Sequence, residues 1–200
     1  FGLYGIANEQ EVYQACVGAH PLTGEALVQN AGSDKRNPGH DLTFSAPKSV
    51  SIAWATGDEA LRKVIQIQQD KAVRDALDFL EAKAGYARVG RNGEEVVKAP
   101  LLFALFEHGT SRAMDPQLHT HALCINLTMH PGGRCTAIDS THLYHWKMAA
   151  GAVYRASLAD GMQQLGFAVE QRRVGSSIGF ELKHIPKDIM EEFSKRRAEI

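Results

Sequence analysis

His119-Thr120-His121 places two imidazoles two residues apart, and a third, His108, precedes them across a stretch that contains the turn residues Asp115-Pro116. On a strand, residues two apart point to the same side about 7 Å from each other, and an antiparallel neighbour can set a third imidazole beside them. Three neutral nitrogen donors hold a metal ion yet leave coordination positions open for a substrate oxygen, which separates a catalytic metal site from a closed structural one. The competing use of the triplet is a pair of core-facing imidazoles satisfied by backbone carbonyls. Taken singly, His20, His130 and His184 read as surface residues.

Asp41 is the candidate partner, because a ligating histidine commonly gives its second N–H to a carboxylate. It equally suits a base for a hydroxyl nucleophile or a turn cap after Pro38-Gly39. The run Ser45-Ala46-Pro47-Lys48-Ser49-Val50-Ser51 has the hydroxyls, small residues and cation of a phosphate-holding loop, with Lys48 and Ser49 as its candidate contacts. Thr110-Ser111-Arg112 offers a second such set between His108 and His119. Two phosphate candidates beside one metal candidate point to phosphoryl chemistry, where cations share the charge of the transferring group.

The elements that must position these residues follow from periodicity. A short helix is expected over residues 9–17, then a loop over 21–39 rich in Gly, Asn and Pro. Leu42-Thr43-Phe44 is strand-like, Ser45-Ala46-Pro47 breaks it, and the apolar run 50–55 reads as resumed strand. Apolar residues at 61, 64, 65, 72, 73, 76, 77 and 80 mark one face of a long helix capped by Asp58. Residues 88–93 read as a hairpin turn in which Asn92-Gly93 favours type I′ geometry. Strands are expected over 101–107 and 118–129, turning at 131–133 toward a strand through Ile138. A helix from Ser140 or Thr141 to about Leu165, ended by Gly166, precedes a strand pair over 167–173 and 178–185 and a last helix after Pro186. This pattern predicts an α+β fold with a largely antiparallel sheet.

The chain has 200 residues, 44% of them hydrophobic, which suits one globular domain. With 22 Lys and Arg against 23 Asp and Glu, net charge −1 announces no nucleic-acid partner globally. That case falls to local clusters at Lys35-Arg36, Arg88 with Arg91, Arg172-Arg173 and Lys195-Arg196-Arg197. Trp54 and Trp146 suit base stacking or, more ordinarily, core packing. Cys16, Cys124 and Cys135 form no CxxC pair, which points to a reducing, cytoplasmic setting. No apolar run reaches the length of a membrane span and no leader opens the chain. The start at Phe1 and an end inside a helical pattern read as an excerpt from a longer protein.

Residues 41–51, followed by Leu105-Phe106-Glu107-His108-Gly109-Thr110-Ser111-Arg112 and Pro116-Gln117-Leu118-His119-Thr120-His121-Ala122, resemble the relaxase domain of TrwC/TraI-type conjugative relaxases, which are HUH endonucleases. The resemblance runs from Gly2 to about Ile185 and implies a palm-like central antiparallel sheet flanked by helices, with residues 1–200 forming a single relaxase-domain fragment. Relaxases of this type nick one strand at a plasmid origin of transfer through a phosphotyrosine intermediate. The resemblance therefore implies His108, His119 and His121 as metal ligands, Asp41 as the residue that orients a histidine or activates the tyrosine, and Mg²⁺ or Mn²⁺ as working ion. The ligand type alone fits zinc, nickel or copper better.

Single-stranded transfer-origin DNA, relaxosome accessory proteins and a helicase on the same polypeptide are the implied partners. The family's nucleophilic tyrosines lie upstream of the segment to which this chain opens. Tyr4, Tyr13, Tyr86, Tyr144 and Tyr154 match none of their positions, so the nucleophile is expected to be missing from these residues. The rival readings are a single-stranded DNA-binding remnant and a three-histidine metallohydrolase.

Overall fold

Asn8 starts the first helix with a reciprocal cap: its side-chain oxygen accepts the Glu11 N–H at 2.9 Å, and the Glu11 carboxylate accepts the Asn8 N–H at 2.8 Å. In chain order the elements are α1 (Glu9–Cys16), β1 (Gly39–Ser45), α2 (Lys48–Thr56), α3 (Glu59–Ala84), β2 (Tyr86–Val89), β3 (Glu95–Lys98) and β4 (Leu102–Thr110). They continue with β5 (Pro116–Ile125), β6 (Thr128–Met129), β7 (Cys135–Thr136), α4 (Ser140–Gln164), β8 (Val169–Val174), β9 (Ser177–Leu182) and α5 (Lys187–Glu192). This computed structural model describes residues 6–130, 133–174 and 177–194. Tyr4, the Pro131-Gly132 turn and the Lys195-Arg196-Arg197 cluster lie outside the described residues.

The α+β expectation holds: β1, β5 and β4 form an antiparallel sheet in that order, and β2–β3, β6–β7 and β8–β9 form two-stranded ribbons. The middle strand β5 alternates, with Leu118, Thr120, Ala122 and Cys124 buried and His119 and His121 half-buried between them. The described residues pack as two compact units, those within 6–42, 80–105 and 122–147 in one, and those within 43–79, 106–121 and 148–194 in the other. Among the described residues, no helix is long and apolar enough to cross a membrane.

In the first unit Ala15, Ile125, Leu127 and Cys135 are buried together, with Leu27, Val28 and Leu102 packed against them. Arg36, only 9% exposed, pins the loop between α1 and β1 to this core. Its Nε donates to the Cys16 carbonyl at 3.1 Å, Nη1 to Asn30 Oδ1 at 3.0 Å, and Nη2 to the Asn126 carbonyl. The β2–β3 ribbon is the expected hairpin with a different turn. Val89 pairs with Glu95, and Arg91–Gly93 forms a 3₁₀ turn in place of a two-residue type I′ turn.

In the second unit the α3 stripe buries Ile65, Ala72, Val73 and Ala76, as its spacing predicts, and Asp58 Oδ1 caps the helix by accepting the Leu61 N–H at 2.8 Å. Residues 50–55 depart from expectation, because they belong to helix α2 and not to a strand. Pro47 stands at its N-cap, where a missing N–H costs nothing. Glu181 of β9 accepts both the backbone N–H of Ser49, at 3.0 Å, and its hydroxyl. Tertiary contact thus decides a short apolar run that periodicity leaves ambiguous. Gly166, at φ 91°, closes α4 where expected.

Candidate metal centre

The β4–β5 hairpin brings the three histidines together. His108 lies within β4, two residues before its end, and His119 and His121 share one face of β5. Ring centroids are 5.2 Å apart for His108 and His119, 5.4 Å for His108 and His121, and 5.2 Å for His119 and His121. A metal–nitrogen bond of about 2.1 Å puts an imidazole centroid about 3.2 Å from the ion, so rings at tetrahedral angles stand about 5.2 Å apart. The ring separations are therefore those of a three-imidazole ligand set. Nitrogen convergence is not reached as the rings stand: among the described residues no group of three His, Cys, Asp or Glu has donors gathered to hold a metal ion. His108 and His119 are 24° from coplanar, while His121 stands at 89° and 68° to them.

The carbonyl of Gln117 lies 2.8 Å from His119 Nδ1. A carbonyl oxygen only accepts, so Nδ1 carries the proton and Nε2 keeps the lone pair that a metal needs. Thr43 Oγ1 is 3.2 Å from His121 Nδ1 and ties β1 to this ring. Asp41 lies on the same alternating face of β1 as Thr43 and Ser45, all three exposed.

The histidines line a cavity of ≈ 510 Å³ together with Thr43, Ser45, Thr110, Ser111, Arg112 and Gln117. Arg112, expected from the sequence to meet phosphate, is on its wall. Lys48 and Ser49 are not. The Lys48 ammonium donates to the Pro116 carbonyl at 2.9 Å, and burial lowers its pKa while Asp115 and Glu181 oppose that shift. Ser49 is fully buried, and its hydroxyl accepts the Leu182 N–H at 2.8 Å.

Behind the site lies a polar network that periodicity marks only as a gap in the α3 stripe. Gln69, 0% exposed, donates to Thr120 Oγ1 and to the Phe44 carbonyl, both at 3.3 Å, and accepts the Tyr154 hydroxyl at 2.7 Å. Thr120 separates the two β5 histidines, so this network holds their backbone from the opposite face. Gly109, beside His108, packs on Trp54: a Cβ there would meet the indole at 2.5 Å. Glu107, on the other side of His108, accepts Gln66 Nε2 at 3.0 Å, and desolvation followed by the Asp70 carboxyl pushes it up to about 7.

Among the described tyrosines none lines the cavity. Tyr13 is exposed on α1, Tyr86 and Tyr144 contact His142 and His40, and Tyr154 is buried in the Gln69 network.

A family model described as TrwC relaxase matches residues 1–200. The multifunctional conjugation protein TraI of Escherichia coli K12 is 35% identical over all of this chain, which spans 11% of TraI. A copper-bound structure of the conjugative relaxase TrwC with oriT DNA is 34% identical, with a TM-score of 0.85 over 98% of this chain and 66% of that one. TrwC with a 27-mer DNA comprising the recognition hairpin and the cleavage site is 35% identical, with a TM-score of 0.84 over 98% of this chain and 69% of that one.

Proposed function

Because the chain belongs to the TrwC relaxase family, we propose that it is the metal- and DNA-binding portion of a conjugative relaxase, which nicks one strand at a plasmid origin of transfer and later rejoins it. The observation that carries this reading is a triangle of imidazoles at ligand separation on the wall of a cavity that also holds Arg112 and the hydroxyls of Ser45, Thr110 and Ser111.

His108, His119 and His121 would hold a divalent cation. When bound, such an ion polarises a non-bridging phosphate oxygen and stabilises the charge of transfer. Gln117 keeps His119 in the tautomer that presents Nε2. Arg112 offers a planar fork of donors to phosphate oxygens, and the cavity hydroxyls add neutral donors. Asp41 is assigned the orientation of a histidine or acceptance of the nucleophile's proton. Lys48 and Ser49 act at one remove, holding α2 against Pro116 and β9.

The phosphotyrosine intermediate forms when a phenolate attacks phosphorus and the 3′ oxygen leaves, and the phosphotyrosine keeps the bond for rejoining. The attacking tyrosine is assigned to residues other than the described ones. An all-imidazole set binds Cu²⁺, Ni²⁺ and Zn²⁺ more tightly than Mn²⁺ or Mg²⁺, so Mg²⁺ or Mn²⁺ would serve by availability. On the same reading the complete polypeptide works in the cytoplasm with accessory proteins and a helicase.

Binding of a single-stranded oligonucleotide with and without Mn²⁺ tests the proposal. Binding that tightens with the ion and loses that response in His121→Ala supports it, whereas equal binding in both conditions contradicts it.

A further inference from the structure

Met114 is the one non-glycine residue among those described with a left-handed backbone, at φ 63°. Glycine or asparagine takes that conformation readily, while a long side chain does so against its steric preference. The turn around it is tightly specified. Ser111 N–H donates to the Asp115 carbonyl at 2.9 Å, and Met114 N–H donates to the Ser111 carbonyl at 3.0 Å. Ser111 Oγ accepts the Ala113 and Asp115 N–H groups at 3.2 and 3.3 Å. Asp115, next in the chain, is buried at 3% exposure, whereas Met114 is 76% exposed. A stiff turn thus holds an apolar, unbranched side chain out in solvent, where core packing explains nothing.

Its neighbours say what it would meet. Arg112 and Ser111, from the same turn, line the cavity that carries the three histidines. We propose that Met114, which lies outside the cavity lining but two residues along the turn from Arg112, is a base-contacting residue beside this site, its thioether chain packing on the face of a nucleotide base while Arg112 holds a phosphate of the same strand. The inference rests on the DNA-binding reading of the cavity and deepens it, since phosphate contacts position a strand and carry no base information. Methionine suits the task because its polarisable, flexible chain moulds to aromatic faces, and such contact tolerates any base.

The test compares two probes of equal charge, an oligothymidylate of about 15 nucleotides and an abasic sugar–phosphate strand of the same length, binding to the whole chain. The parent should prefer the oligothymidylate by about tenfold. Met114→Asn should erase that preference and melt no lower than the parent, because asparagine accepts the left-handed turn. Met114→Leu, which keeps an apolar chain, should retain it. Arg112→Ala should weaken both probes alike and flatten the salt dependence. If Met114→Asn keeps the parent's preference while Arg112→Ala weakens both probes, the base contact is overturned and the DNA reading stands. If the parent binds neither probe, both fall.

Discussion

The carbonyl oxygen of Gln117 stands 2.8 Å from Nδ1 of His119, two residues away on the same strand. Because the acceptor is backbone, this orientation of the ring belongs to β5 itself and survives side-chain change around it. The consequence can be separated from the ligand role of the same residue. His119→Asn retains an N–H donor near the Nδ1 position but has no atom at Nε2. It should unfold within about 1 kcal/mol of the parent, yet lose about 100-fold in affinity for Zn²⁺, a loss of the size that follows removal of a ligand or its close support. Calorimetric titration and urea unfolding of one preparation check both.

Gln69 joins Thr120, Tyr154 and the Phe44 carbonyl beneath the site. Gln69→Leu strands the buried hydroxyls of Thr120 and Tyr154 and should cost about 2–3 kcal/mol in urea unfolding, against about 1–2 kcal/mol for Tyr154→Phe, which strands one acceptor. Equal, small losses would mean that the network contributes little to holding β5.

Gly109 leaves no room for a side chain beside Trp54. Gly109→Ala should therefore destabilise by about 1–3 kcal/mol. Combined with Trp54→Phe, it should cost less than the two single changes added, which a double-mutant cycle measures directly.

Asp75 gives the acid dependence. The Ser157 hydroxyl first, and then the Lys71 ammonium, hold its carboxyl below the usual 3.8. A carboxyl with a lower pKa folded than unfolded stabilises fully above the unfolded value, and that contribution is lost as pH falls through the folded one. Asp75→Asn should therefore narrow its stability gap to the parent as pH drops below about 4, read from thermal melts across that range.

The histidine triangle was legible because strand periodicity and a short hairpin are local properties, and residues 108, 119 and 121 needed nothing distant to meet. Gln69 was legible only as a polar break in the α3 stripe, its partners being set by the packing of α3, α4 and β5. Helix α2 was not legible: a six-residue run with five apolar side chains fits strand or helix, and the deciding carboxylate of Glu181 lies 132 residues from Ser49. The same distance effect turned Lys48 away from the cavity, toward Pro116. Met114 was hidden because turn chemistry predicts glycine or asparagine where the backbone is left-handed.

The most direct measurement is titration of the chain with Cu²⁺, Zn²⁺ and Mn²⁺ in turn, followed by the same titration of His108→Ala, His119→Asn and His121→Ala. A single site per chain, with affinity falling from Cu²⁺ through Zn²⁺ to Mn²⁺ and collapsing in all three variants, is the predicted result. Binding that persists undiminished in any one of them would contradict a three-histidine metal centre.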